Sequence, residues 1–507
     1  MRAVHLVPAG VVLLALGAIG AAASLDRPTA SPNPAAVTRQ ATVTAAARAC
    51  PPTLGGGTGT VALIAGQAGS GGSGGSGQAE LASLPPVGVQ LQPAGAISAK
   101  GPGVLSLLTV PAASSAPSKG SKGSKGGKGS KGSKSTKATS EPTGWSVTAS
   151  GTMAQAMEAE VAQSSGLASL RCGEPGSDIW FVGPGQSSGA AQIQLELMNI
   201  DSLAATVDVS MITDAGPVQA GNGTGITVPP HQTVTESLSS AAGDSSVVAI
   251  EVHTSSGRVA ADVSLGGSAR GRTTNWLPSA AEPSTQLVIP GVPPSSHAAE
   301  LFLTVPGTAD AKVNVLAITP QGQYRPFGSQ PIDLPGQSAS SMTLTPLGGT
   351  AAAVAITANV PVTATVLVPG SGVGAFTTAT APISEQAVVA GNVSGSGFAP
   401  SVVLSAPAGA ARVRLTEIRA STGSAGSQVI SVLAGHTLMV PVTAPSGTKR
   451  GAAFAVVITP LAGSGPLYAA RVETQDQSTV VSIIPAASAL TTIGLPPVSD
   501  SYAAITP

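Results

Sequence analysis

An alternation of apolar and polar residues, interrupted by Pro/Gly turns and repeated three times, constrains this chain more than any other feature. In the first copy Ile193, Leu195 and Leu197 alternate with Gln192, Gln194 and Glu196, and Val207, Val209 and Met211 follow. A turn at 229–233 then leads to apolar runs at 248–250 and 259–263. The second copy repeats the order with Leu301, Leu303 and Val305, then Val313 and Val315, a turn at 335–338, and runs at 354–356 and 362–366. The third has Val402 and Leu404, Val413 and Leu415, a turn at 435–437, then 456–458 and Tyr468, Ala470 and Val472. A period of two puts one set of side chains in a core and the other in water, which is the signature of half-buried antiparallel strands. The spacing of about 100 residues is too long for a propeller blade or solenoid turn and suits a sandwich.

The expected fold is therefore all-β: tandem antiparallel β-sandwich (Ig-like) modules preceded by an amino-terminal hydrophobic helix. Three sandwiches are placed at 172–283, 284–383 and 384–507, with linkers near 282–285 and 381–386 and contacts mostly between sequence neighbours. A less regular β region is expected at 50–171, with strand-like stretches at 60–64, 87–91, 104–110 and 145–149. The segment 157–161 alternates like a strand, while Met153, Met157 and Val161 also fit one helix face; the bounding Gly151 and the glycine at 166 favour the strand.

Aromatic residues make up only 2% of the 507 residues and charged residues 9%, so the cores must be built from Val, Ile, Leu and Ala. The zero formal charge hides an asymmetry. Lys119, Lys122, Lys125, Lys128, Lys131, Lys134 and Lys137 fall in one Gly/Ser-rich tract, and without these seven the remaining 17 basic residues face 24 acidic ones. That tract, inside an insertion at 114–142, offers no apolar side chain to bury and reads as a disordered loop. It is either a soluble expansion of a short repeat or an adhesive segment for anionic wall polymers or lipid headgroups. A mildly acidic folded part excludes nucleic acid as the modules' partner.

Residues 1–25 read as a signal-anchor or a signal peptide. After Arg2 the run 4–23 is apolar except for His5 and long enough to span a bilayer core, while the alanines at 21–23 also suit cleavage. The chain is thus expected to hold the membrane through this helix with its domains extracytoplasmic, or to be secreted if the segment is cleaved. Residues 26–49 read as a disordered spacer. In an exported chain the two cysteines, Cys50 and Cys172, are expected to form a disulfide.

The segments CGEPGSDIWFVG at 172–183, HTSSGRVAA at 253–261, NWLP at 275–278 and VIPGVP at 288–293 resemble an uncharacterised actinobacterial envelope-protein family, a secreted or membrane-anchored β-repeat family. The resemblance implies export or membrane anchoring. It carries no catalytic residue onto this chain.

A search for chemistry points to a protein that is not an enzyme. Residues 71–75 match GxSxG but lack the strand–turn–helix that strains such a serine outward. Residues 370–374 follow a strand, but Pro382 and threonines replace the helix a dinucleotide loop needs. His231, His253, His297 and His436 fall in separate copies, with no metal-ligand spacing. Glu196, Asp208 and Asp214 read as solvated strand positions. Neither a cofactor nor a metal is expected. Trp180, Phe181 and Trp276 read as packing residues, with Trp276 also a candidate glycan platform supported by Arg272 and Asn275. Two functions follow: a non-catalytic envelope scaffold contacting an envelope protein or wall polymer, or a carbohydrate-binding module array for cell-wall glycans.

Overall fold

A computed structural model of the chain describes residues 39–495 except positions 55–57, 67–76, 90–96, 100, 112–142, 164–167, 221–222, 268–273, 296, 329, 345–346, 348, 371–373, 396, 421–422 and 477–478. The hydrophobic run at 4–23, the lysine tract, the GxSxG match and Arg272 lie outside the described residues. Among those described, no helix is long and apolar enough to cross a membrane. Thr42–Thr491 forms one compact unit, and by itself a two-stranded sheet pairs Arg39–Thr42 with Thr492–Leu495.

The compact unit contains four sandwiches with one topology. In each, strands one, six, three and four make one sheet and strands five, two, seven and eight the other. In the first repeat copy the sheets run Asp178–Pro184, Val247–Ser256, Ala205–Thr213, Gly216–Gln219 and Gln232–Ser237, Ala190–Asn199, Ala260–Gly267, Thr274–Leu277. The third copy repeats this order from Ala387–Val393 to Thr479–Pro485. In the second copy strands six and seven fuse into one 17-residue strand, Ala352–Val368, which pairs first with Ser284–Val292 and Ala311–Thr319 and then with Ala299–Val305 and Ala375–Thr378. The alternating residues fall on the core side as expected: Ile193, Leu195, Leu197, Val207 and Val209 share one buried cluster.

The region expected as irregular β is the fourth sandwich, and its first strand is drawn from the expected spacer, where Ala45–Cys50 is a strand with Arg48 and Ala49 buried rather than disordered. Its sheets are Ala45–Cys50, Gly144–Ser150, Ala79–Leu84, Ile97–Ser98 and Ser106–Val110, Gly59–Ile64, Glu158–Gln163, Ser169–Arg171, in the same order as the other copies. Residues 158–163 are the strand that the alternation predicts. Positions 112–142, which hold the lysine tract, fall in the connection between strands five and six. The turn before strand five recurs with a left-handed residue at His231, Gln337 and Gly435. His231 therefore corresponds to Gly435, one residue before His436.

Three of the four junctions join sequence neighbours as expected, and a fourth, between the third copy and the amino-terminal sandwich, closes the four sandwiches into a ring. Met198, Ile200 and Ala260 of the first copy pack on Ala49 and Leu84 of the amino-terminal sandwich. Val182, Ile212, Val247 and Ala249 meet Phe302 and Ala339 of the second copy. The core of the second copy continues into Val403, Ala470, Val472, Val480 and Ile483 of the third. The third returns to the amino-terminal sandwich through Val388, Ala390, Ala455 and Val457 against Ala62, Ile64 and Leu105.

Beside that closing contact lies a buried charge cluster. The Arg471 guanidinium, fully enclosed, pairs through Nη1 with Glu160 Oε1 across the interface. Its Nη2 donates to Ser169 Oγ at 2.6 Å and Ser482 Oγ at 3.2 Å. Glu160 Oε2 also accepts the backbone N–H groups of Ala390 (3.2 Å) and Gly391 (3.1 Å). A Cβ on Gly391 would lie 2.7 Å from Glu160 Oε1, so only glycine lets the carboxylate approach this closely. The pair specifies which faces meet, more than it adds stability.

Candidate functional site

The four sandwiches meet around a pocket of about 410 Å³. Its walls come from strand eight of the amino-terminal sandwich, from 173–179 and 261–262, from 278–281, and from 378–381 and 483–487 of the later copies. The segment 172–183 passes through this junction. It is pinned by Gly173 bridging Ala49, Gly176 bridging Val259, and Trp180 bridging Ala280. Cys50 and Cys172 form the expected disulfide at the head of this segment, with Cα atoms 4.4 Å apart.

Charged groups line one side. Arg171 Nη2 lies 2.8 Å from Glu158 and 3.3 Å from Glu174, and Arg48 Nη2 lies 2.8 Å from Glu174. Burial alone would raise the Glu174 carboxyl, but Arg48 and Arg171 hold it below its ordinary value. At the rim, Asp178 Oδ1 sits 2.6 Å from His253 Nδ1.

A second pair of carboxyl groups has no ion-pair partner among the described residues. Glu196 and Asp262 are register partners on strands two and seven of the first copy, on the sheet face that also carries Met198 and Ala260. Sequence reasoning placed Glu196 on a solvated face; the side chain is 7% exposed because the amino-terminal sandwich covers that face. Burial pushes the Glu196 carboxyl up to about 7 despite the hydroxyl of Thr235, which donates to Oε2 at 2.5 Å. Burial, then the neighbouring Glu196, pushes Asp262 well above its ordinary value. Asp262 Oδ2 is enclosed with no hydrogen-bond partner among the described residues, and so is Thr380 Oγ1, whose residue lines another part of the same wall. Asp208 is half-buried and Asp214 exposed, and both cap backbone groups, accepting from Gly225 N–H at 2.8 Å and Ser246 N–H at 3.1 Å.

The aromatic candidates are structural in this geometry. Trp276 is 4% exposed and joins Cys50, Trp145 and Met157 in the core of the amino-terminal sandwich, which leaves no open face for a sugar ring. Asn275 Nδ2 donates to Gly374 O of the second copy at 2.6 Å, and its Oδ1 accepts the Trp276 N–H at 2.9 Å. These two residues thus tie three sandwiches together. Trp180 and Phe181 are also buried. Asp262 and Thr380 went unrecognised in the sequence, since an acid on an alternating strand and a threonine in a turn carry no motif.

The profile of a family of unknown function, DUF5719, matches residues 127–443, more than half of the chain. The chain belongs to this family. The match spans all of the first and second copies and part of the third, and so includes the segment 172–183 and most of the pocket wall. No curated protein matches the chain.

Proposed function

We propose that this member of the family is an exported, non-catalytic scaffold of an actinobacterial cell envelope. It is held at the membrane by its amino-terminal segment and engages an envelope partner through the rigid ring. The observation that carries this reading is the closure of four sandwiches on one another, with an apolar cluster at every junction. A body locked in this way presents its surfaces in fixed relation, which suits a platform. The disulfide supports an oxidising compartment, where such bonds persist. A glycan-binding array has no comparable support, because its stacking residue is enclosed.

The test is fractionation of cells carrying a tagged full-length chain, followed by thiol labelling and crosslinked capture from native membranes. We expect recovery with membranes, no labelling before reduction, and a recurrent envelope protein crosslinked to the ring. Recovery from the cytosol with two reactive thiols per chain would overturn the proposal.

A further inference from the structure

Strand four of each sandwich lies at the outer edge of its sheet, and an edge leaves a row of backbone N–H and C=O groups unpaired. It is short in three copies: Ile97–Ser98, Gly216–Gln219 and Gly322–Tyr324 span two, four and three residues. In the third copy it is Gly423–Val432, ten residues long. Sheets avoid unwanted pairing by keeping such edges short, charged, bulged or broken by proline. Residues 423–432 contain no charged residue and no proline. The bulge in their pairing with Ala411–Arg419 falls at Glu417/Ile418, which leaves Ser427–Val432 in unbroken register. Val429 in this run is 48% exposed, and Leu433 just past its end is 65% exposed. The charge beside the edge selects a partner. Arg414 and Arg412 are the register partners of Val429 and Ser431, so both arginines stand on the outer face of the sheet. Both are exposed, and neither forms an ion pair among the described residues. Strands lie about 4.8 Å apart, so a strand added here runs about 10 Å from the arginines' own strand, within the combined reach of an arginine and a glutamate across the small Ser431.

We propose that Ser427–Val432, the regular part of this edge, docks an extended acidic segment of a partner protein. The segment adds to the sheet as a fifth strand and places alternate carboxylates over Arg412 and Arg414. The backbone ladder supplies affinity, and the two arginines choose an acidic over a basic segment. This deepens the scaffold reading, on which it rests, by naming the partner's chemistry and the surface that meets it. Failed peptide binding removes this edge alone, because recovery with membranes and the crosslinked partner decide the scaffold separately.

The intact protein is titrated with the peptide acetyl-Thr-Glu-Val-Glu-Thr-Glu-Val-amide and with a counterpart carrying lysine for each glutamate. A third peptide has proline at its central valine and threonine, which keeps the charge and removes ladder donors. Hydrogen exchange is followed at 427–432, and sedimentation gives the size of the protein alone. The acidic peptide should saturate and slow exchange at alternate amides of 427–432 by about tenfold or more, while the other two do neither. Joint substitution Arg412→Gln and Arg414→Gln, at exposed positions without ion pairs, should keep the fold and weaken the acidic peptide about tenfold. Equal binding of the lysine or proline peptide, unchanged exchange at 427–432, or undiminished binding by the double variant would each overturn the proposal. So would a dimer that protects 427–432 without peptide, since it assigns the edge to a second copy of this chain.

Discussion

On the side of the amino-terminal sandwich that faces the third copy, Glu160 is given Arg471 and two backbone N–H groups. At the junction with the first copy, the charged neighbour of Asp262 among the described residues is Glu196, another acid. Both carboxylates are almost fully enclosed, at 2% and 3% exposure. They differ in whether the neighbouring copy returns a cation. A buried ion with its counterion fixes which surfaces meet, whereas a buried acid without one is left to protonation or to a ligand. One ring thus contains a junction whose buried acid is matched by a cation and a junction whose buried acids are not.

The largest way to break this contrast is to unmatch the lock. Arg471→Met leaves Glu160 and Glu473 enclosed without their cation, and should cost about 3–5 kcal/mol in denaturant unfolding. Hydrogen exchange should rise first at Ala390 and Gly391, whose amides the Glu160 carboxylate accepts. Adding Glu160→Gln should recover part of the loss. If Arg471→Met costs no more than a surface substitution, the cluster does not close the ring.

The second break is covalent. The disulfide joins residues separated by 122 positions and ties the amino-terminal sandwich to the segment lining the pocket. Replacing both cysteines with alanine should cost about 2–4 kcal/mol, mainly by freeing the unfolded chain. Exchange should increase around 172–179 more than around Arg471. Equal loosening at both sites would mean that the two junctions are one cooperative unit.

The pattern of what the sequence discloses follows from the same physics. The three copies are legible because alternation at positions such as 193–197, 301–305 and 402–404 runs without interruption. The amino-terminal sandwich is not, because a Gly/Ser stretch near 69–77 and the long insertion before Gly144 break the spacing that would align its strands with theirs. The ring was hidden for another reason. Period-two patterning says which side chains face the core of their own sandwich, but not whether the opposite face is wet or covered by a neighbour. Glu196, Asp262 and Ser264 look solvent-bound on that pattern, yet all three are buried. A usable warning existed in runs such as Val247 to Ile250 and Ala352 to Val354, which are apolar on both faces.

The buried acids also leave a pH signature. Glu196 and Glu473 are each pushed from an ordinary 4.5 up to about 7, by burial in both cases. Glu473 is raised further by Glu160 and opposed by Arg471. A carboxyl with a raised folded value holds a proton that the unfolded chain releases above about pH 4.5. Stability should therefore fall as pH rises from about 4.5 to about 7 and level off beyond. Glu196→Gln, which can still accept from Thr235, should stabilise the protein by about 1–3 kcal/mol at pH 8 and flatten the slope. Denaturant midpoints measured across pH 4–9 decide this; an unchanged slope would show that Glu196 is solvated.

The smallest expected effect sharpens the comparison by locating what the ring does without. Residues 118–137 contain only Ser, Gly, Thr and Lys, so no apolar area is lost when they are removed. They fall between Ser106–Val110 and Gly144–Ser150, strands that lie in opposite sheets of the amino-terminal sandwich, and neither strand needs the other for its ladder. Shortening a long connection changes closure entropy only slowly with length, by well under about 1 kcal/mol here. Excision should thus leave the thermal transition within about a degree or two, and leave the slope with pH unchanged, while weakening retention on anionic vesicles at low salt if the lysines serve adhesion. A drop of several degrees would mean that the lysines neutralise carboxylates of the ring, and a drop seen only above pH 7 would place those carboxylates among the buried acids raised to about 7.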